Sequence, residues 1–285
     1  MEALLRGENL TKHFGGLTAV DDVSMDIYPG QVMGLVGDNG AGKSTLIKMI
    51  SGVYQPDGGK VYFKGEEVTF KGPREARDMG IETIYQDLAL AENLNVSSNI
   101  FLGREVKKRY LGGIVRTLDW STMHNESAGA LDRLDIDVPS LKQQIRNLSG
   151  GQRQAVAIAR SIYWNARVMI MDEPTAALAV PEQRKVLSLV RTLRDEGVPV
   201  IIISHNLQDI FAVADRILIL RRGKKVAELD SDKTTPDEIV SLMVGAEAVH
   251  EMGIIPKALD ADDSEEGANP ESDAGDSSDQ DNPGA

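Results

Sequence analysis

The sequence contains no cysteine. Disulfides, thiolate metal ligands and a thiol nucleophile are thereby excluded, and a reducing compartment suits the chain. Histidine is scarce, with four residues scattered along the chain, which argues against a zinc centre. No apolar run approaches the roughly 18 residues of a membrane-spanning helix. The longest, such as the VPVIII stretch ending at Ile203, have the length of a strand. The opening MEALLRGENL lacks a basic start followed by an apolar core, so no secretory signal is expected. Positive charge is missing from one region altogether: Lys257 is the last cation, and ten acidic residues lie between Asp260 and Asp281.

What is present is an ordinary globular mixture, 41% hydrophobic and 26% charged over 285 residues, enough for one large domain or two small ones. The net charge of −13 is uneven, because the first 257 residues carry 34 acids against 31 bases. The body is thus nearly neutral. Residues 246–285 read as an acidic tail of Asp, Glu, Ser, Gly, Asn and Pro, too poor in apolar surface to offset its ordering entropy and expected to be disordered. Such a tail disfavours nucleic acid, and no nucleic-acid partner is expected.

The first 70 residues read as strands and turns, with a turn at Lys64-Gly65. From about Gln86 to Trp164 the texture becomes helical and polar, with a loop at Gly112-Gly113. Beyond it, VMIMDE, VPVIIISH and RILILRRGK alternate with helical segments. One of these carries Val186, Leu189, Val190 and Leu193 on a single face and stops at Gly197; the next carries Leu207, Ile210, Phe211 and Ala214. Apolar strands alternating with helices predict an α/β fold with a mainly parallel sheet covered on both faces.

Three motifs carry chemistry. Gly37-Asp38-Asn39-Gly40-Ala41-Gly42-Lys43-Ser44 fits the phosphate-loop pattern, directly after the strand QVMGLVG and opening a helix over about Gly42 to Gly52. Its glycines let successive N–H groups face an anion, Lys43 suits the β- and γ-phosphates, and the Ser44 hydroxyl suits Mg²⁺. Val168–Met171 forms a buried-strand run that ends in Asp172-Glu173, at the strand end where ligands of open α/β sheets bind. Asp172 is expected to anchor the metal ion, and Glu173 to orient or deprotonate the attacking water. A helix start would also explain acids before Pro174. The third motif is Leu148-Ser149-Gly150-Gly151-Gln152, ahead of a helix with Ala155, Ile158, Ala159 and Ile162 on one face. Ser149 and Gln152 make a capping box, but a capping box needs no glycine pair. Gly150 and Gly151 bare a helix N-terminus to an approaching anion.

Through LSGGQ, the sequence closely resembles the ATP-binding cassette family over roughly residues 4–245, with the three motifs in the family's order. The resemblance implies a P-loop nucleotidase core with an N-terminal antiparallel β subdomain and an inserted helical subdomain. The core would comprise 1–86 and 165–245, and the helical insert 87–164. It implies ATP and Mg²⁺ as ligands and a head-to-tail dimer sandwiching two ATPs, in which Ser149, Gly150, Gly151 and Gln152 of one copy complete the γ-phosphate site of the other. The resemblance also implies that Thr45, next to Ser44, binds the nucleotide. Phe14 resembles the aromatic that stacks on adenine, Gln86 the glutamine that senses Mg²⁺ and links to the membrane partner, and His205 the histidine that contacts the γ-phosphate.

One departure stands out: DEPTAALAV places Ala179 where many cassettes carry an aspartate, which puts a trans-subunit role for an aspartate here in doubt. A similar departure occurs in the sugar-import branch, to which the DNGAGKS, DEPTAAL, ISHN and QDLALAENLNVSSNIFLGRE stretches are also similar. The resemblance therefore implies a cassette subunit that energises permease subunits importing a monosaccharide, held at the cytoplasmic face of the plasma membrane through them. An extracellular solute-binding protein would act only indirectly. Import of another solute, such as branched-chain amino acids, shares every catalytic motif; a soluble non-transport cassette ATPase is the more distant alternative.

Overall fold

The computed structural model describes residues 2–110 and 115–245. The expected Gly112-Gly113 loop and the acidic segment 246–285 lie outside the described residues. Strands β1 (Leu5–Phe14), β2 (Leu17–Ile27), β4 (Gly58–Phe63) and β5 (Glu66–Val68) form an antiparallel sheet in the order β2-β1-β4-β5. The turn expected at Lys64-Gly65 joins the last two. A second sheet holds β3 (Val32–Val36), β6 (Ile81–Ile84), β9 (Val168–Asp172), β10 (Val200–Ile203), β11 (Arg216–Arg221) and β12 (Lys224–Asp230), in the order β12-β11-β3-β10-β9-β6. It is parallel except for β12, which runs antiparallel along β11.

The apolar runs of this sheet bury both faces, as a parallel sheet requires. Met33, Leu35, Val168, Ile170, Ile201 and Ile203 pack with the antiparallel sheet and α1 (Lys43–Ile50). Their alternates Val32, Val36, Met169, Met171, Val200 and Ile202 pack with α5 (Gly150–Tyr163), α6 (Val180–Asp195) and α7 (Leu207–Val213). The stripe Val186, Leu189, Val190 and Leu193 of α6 is buried there, and α6 ends as expected before Gly197.

Between β6 and β9 lie α3 (Val96–Ile100), α4 (Trp120–Arg133) and α5, on one continuous core with the sheet. The purely helical expectation for this region is corrected at one place: β7 (Lys107–Tyr110) and β8 (Val115–Leu118) form a two-stranded ribbon. Lys107-Lys108-Arg109 carries no apolar alternation, so the period that marks a half-buried strand is missing. The two remaining helices, α2 (Pro73–Asp78) and α8 (Pro236–Val244), flank the sheet edges.

Candidate nucleotide site

β3 stops at Val36 and α1 starts at Lys43, so the glycine-rich loop lies at the carboxyl end of a central strand. Gly37 is buried at φ +150°, and a Cβ there would lie 2.2 Å from the Leu220 carbonyl oxygen. Only glycine fits. Asp38, Asn39 and Gly40 are exposed, Ala41 is buried, and the Ala41 carbonyl accepts from the Gly223 N–H at 3.0 Å. Gly42 is the N-cap of α1 and brings no side chain to the helix start, leaving the first N–H groups there without a side-chain acceptor. The Lys43 ammonium folds back over the loop and donates to the Gly37 carbonyl at 2.6 Å and the Asp38 carbonyl at 3.0 Å. Burial lowers its pKa, and the nearby carboxylates of Glu173, Asp38 and Asp172 oppose that shift. Ser44, exposed, and Thr45, half-buried, follow on the first turn.

Parallel pairing brings the second motif alongside. Asp172 ends β9 opposite Ile203 of β10, and β10 in turn pairs with β3. Burial raises the Asp172 pKa against the pull of Lys43 and Lys48. Glu173 follows at φ +53°, a left-handed conformation that costs a residue with a side chain of order 1 kcal/mol. Its N–H donates to the Ile203 carbonyl at 2.9 Å. Its carboxylate accepts from the His205 N–H at 3.1 Å through Oε1, and His205 Nδ1 lies 2.7 Å from Oε2. Helix α6 starts only at Val180 with Ala179 as N-cap, so a helix start does not account for Asp172-Glu173.

Lys43, Asp172, Glu173 and His205 are thus gathered at the ends of β3, β9 and β10. Gln86, exposed and two residues past β6, shares with Glu173 and Gly150 a cleft of about 290 Å³. Ser44, Asp172 and Gln86 offer a hydroxyl, a carboxylate and an amide. This oxygen set suits Mg²⁺, which binds one or two carboxylates and completes its shell with phosphate and water. Among the described residues no group of three or more acids or histidines could hold a metal ion.

Ser149, Gly151 and Gln152 line a different cavity, with Asp135, Asp137 and Glu182. The capping box is present: the Gln152 N–H donates to Ser149 Oγ at 3.3 Å, and the Ser149 N–H to Gln152 Oε1 at 3.1 Å. The glycine pair also has a packing reason. A Cβ on Gly150 would meet Leu178 Cδ2 at 2.6 Å, and one on Gly151 would meet Glu182 Cβ at 3.0 Å. Glu182 accepts hydrogen bonds from the Ser149 hydroxyl and the Gly151 N–H, which lower its pKa. Phe14, at the end of β1, is 43% exposed and so is no core residue; its ring meets Tyr54 edge-on at 5.3 Å.

Several groups beside these were not marked by any sequence motif. Arg77, Glu82, Arg104, Arg160 and Trp164 line a polar groove of about 300 Å³ next to the Gln86 segment. Burial raises the Glu82 pKa, opposed by Arg77, Arg104 and Arg160. Arg160 donates to the carbonyls of Leu88 and Ala89, holding the segment that follows Gln86. Thr175 and Asp209 form a buried hydrogen bond across 34 residues of chain. Contacts between residues so far apart in sequence leave no periodic or spacing signal.

Comparison with known proteins agrees with this fold. Residues 20–176 match the family model described as ABC transporter. The chain is 49% identical over 243 residues to the xylose/arabinose import ATP-binding protein XylG of Sulfolobus acidocaldarius, covering 85% of this chain and 94% of that protein. It is 43% identical over 247 residues to the fructose import ATP-binding protein FrcA of Rhizobium meliloti, covering 86% and 95%. Among solved structures, the ADP conformation of MJ1267, an ATP-binding cassette of an ABC transporter, superposes with a TM-score of 0.73 at 28% identity, covering 88% of this chain and 98% of that one. The fold is the α/β fold of an ATP-binding cassette, and the chain belongs to the ABC transporter family.

Proposed function

We propose that this chain is the ATP-hydrolysing subunit of a membrane importer for a monosaccharide, working as a head-to-tail pair of copies around two ATP molecules. The observation that carries the reading is the convergence of Lys43, Asp172, Glu173 and His205 at three adjacent strand ends. The sugar class follows from the import proteins XylG and FrcA, which the chain matches over nearly their whole length.

In this reading the core comprises 1–86 and 165–245, and the helical insert 87–164. Lys43 exchanges its bonds to the Gly37 and Asp38 carbonyls for phosphate oxygens, a charge-assisted replacement for neutral acceptors. Phe14 offers an exposed ring to adenine. Glu173 takes a proton from water, and His205, held against Glu173, faces the γ-phosphate. Ser44, Asp172 and Gln86 would hold Mg²⁺, which when bound neutralises charge on the phosphates. Phosphoryl transfer asks the protein for positioning and electrostatics, and these side chains supply both.

The pairing of two copies is supported by the lining of the cavity that holds Ser149, Gly151 and Gln152, which includes no residue of the phosphate loop, while Gly150 borders the cleft of Glu173 and Gln86. Each copy brings two half-sites. The permease is expected in the groove of Arg77, Glu82, Arg104, Arg160 and Trp164, whose wall holds the segment after Gln86. In this reading the chain sits at the cytoplasmic face of the membrane, bound through the permease; no described helix is long and apolar enough to cross a membrane. Solute choice falls to the permease and an extracellular solute-binding protein. No nucleic-acid partner enters the reading.

Uptake of a panel of labelled sugars in cells carrying Lys43→Ala in place of the native chain tests the proposal. Selective loss of one sugar is expected and names the substrate. Unchanged uptake of every sugar, with the variant stably expressed and no second route, overturns the sugar reading and directs the test to amino acids.

A further inference from the structure

Glu173 and His205 sit on different segments, the turn after β9 and the turn after β10. Three contacts join these segments at the two residues themselves: the Glu173 N–H to the Ile203 carbonyl, the His205 N–H to Glu173 Oε1, and His205 Nδ1 against Glu173 Oε2. A further link touches neither residue. Thr175 Oγ1 donates to Asp209 Oδ2 at 2.6 Å, with Thr175 3% and Asp209 6% exposed. Thr175 lies two residues beyond Glu173, and Asp209 lies on α7, four residues beyond His205. The Thr175 turn carries two left-handed residues, Glu173 at φ +53° and Ala177 at φ +59°. Strain of this kind persists only where the surroundings hold it in place.

Asp209 is an acid in the first turn of α7, a favourable place for negative charge, but its carboxylate is not the cap. The N-cap of α7 is Asn206, whose side chain already accepts from the Gln208 N–H at 3.0 Å. A packing role does not account for it either, since burying a carboxylate carries a desolvation penalty that an apolar side chain of similar volume avoids. What the carboxylate does provide is a directional anchor for the turn that bears Glu173.

We propose that Asp209 is a positioning residue for ATP hydrolysis: through Thr175 it fixes the turn that keeps Glu173 in its left-handed conformation, with its carboxylate against His205. This rests on the reading of Glu173 as the base. A displacement of about 1 Å in such a group costs on the order of 100-fold in rate, so a hydrogen bond two residues away is able to control turnover without touching nucleotide.

The test compares phosphate release, nucleotide affinity measured with a fluorescent ATP analogue, and melting temperature across a set of variants. Thr175→Val removes the donor at constant shape and is expected to lower kcat by about tenfold or more, with KM and nucleotide affinity within about twofold. Thr175→Ser and Asp209→Asn keep donor and acceptor and are expected to retain most of kcat. Thr175→Val alone leaves a buried carboxylate unpaired and is the variant most prone to misfold. The double variant Thr175→Val/Asp209→Leu removes both polar groups, a change that is often neutral for stability. It is expected to melt near the native temperature while kcat stays low.

In a Glu173→Gln background, where turnover is already slow, Thr175→Val is expected to add no further loss, because residues acting as a unit are not additive. Native kcat in the folded double variant overturns the proposal. So does a full further loss in the Glu173→Gln background, or a Thr175→Ser variant as impaired as Thr175→Val. Native turnover by Glu173→Gln alone instead overturns the assignment of the base, a different result from any of these.

Discussion

The phosphate loop and the start of α5 are both glycine-rich helix beginnings, yet they are finished differently. At α1 the N-cap is Gly42, no side chain caps the helix, and Lys43 lies folded on two carbonyls of its own loop. Beside it, Asp172 and Lys43 are both pushed by burial toward their neutral forms, and Glu173 is held left-handed. At α5 the opposite holds. Ser149 and Gln152 cap each other, and Glu182 takes the Ser149 hydroxyl and the Gly151 N–H. The first helix start carries unmet electrostatic demand and the second is satisfied within the chain. Under the proposed pairing, the intrinsic nucleotide affinity of a single copy would belong to the first region, and the second would act when another copy presents an anion in place of Glu182.

The largest effect is expected of Lys43→Ala. Charge-assisted hydrogen bonds contribute about 1.5–3 kcal/mol each, so nucleotide affinity is expected to fall by about 10-fold to 100-fold. The melting temperature of the nucleotide-free protein should hardly change, because the lysine's hydrogen bonds go to its own loop and its burial outweighs its attraction to Glu173, Asp38 and Asp172. Equilibrium binding of a fluorescent ATP analogue checks this. Undiminished affinity would remove the phosphate loop from its role.

Ser149→Ala sharpens the other side. Loss of a side-chain cap typically costs about 1 kcal/mol, which for a domain of this size lowers the melting temperature by roughly 2–4 °C. Affinity for ATP at protein concentrations too dilute for pairing should be unchanged, while steady-state phosphate release falls. If dilute binding weakens as much as turnover, the two regions belong to one site within a single copy, and the head-to-tail arrangement fails.

The difference between the regions also explains what was legible in the sequence. Lys43, Asp172 and His205 stand at strand ends marked by apolar runs, and a parallel sheet brings consecutive strand ends together without further information. The stripe of α6 and the capping box of Ser149 and Gln152 were legible for the same reason, since both are local patterns. Glu182 beneath Gly151, Asp209 beneath Thr175 and Arg160 beside Glu82 were not. Each is a polar contact between segments that only the packed core brings together, and one residue's identity says nothing about the other. The ribbon of β7 and β8 escaped for a different reason: a surface hairpin rich in lysine and arginine has no apolar face to reveal its period.

The smallest effect concerns the demand stored at the first region. Burial raises the Asp172 pKa above its ordinary value of 3.8, with Lys43 and Lys48 offsetting only part of the shift. Below the unfolded-state pKa the group is neutral in both states and carries no penalty. As pH rises through the raised folded-state value the native protein alone must hold a desolvated charge, and stability is lost. Asp172→Asn, neutral throughout, should therefore match the native chain in acid and melt higher at neutral pH, a gain confined to the nucleotide-free protein. The same variant should lose the stabilisation that Mg²⁺ and ATP give the native chain, because a group that binds only the folded state stabilises it in proportion to its occupancy. Melting curves at pH 3.5 and 7.5, with and without Mg²⁺ and ATP, separate the two effects. An Asp172→Asn protein that melts lower at pH 7.5 without ligand would mean that the carboxylate is a structural partner of Lys43 rather than a charge held in reserve for a metal ion.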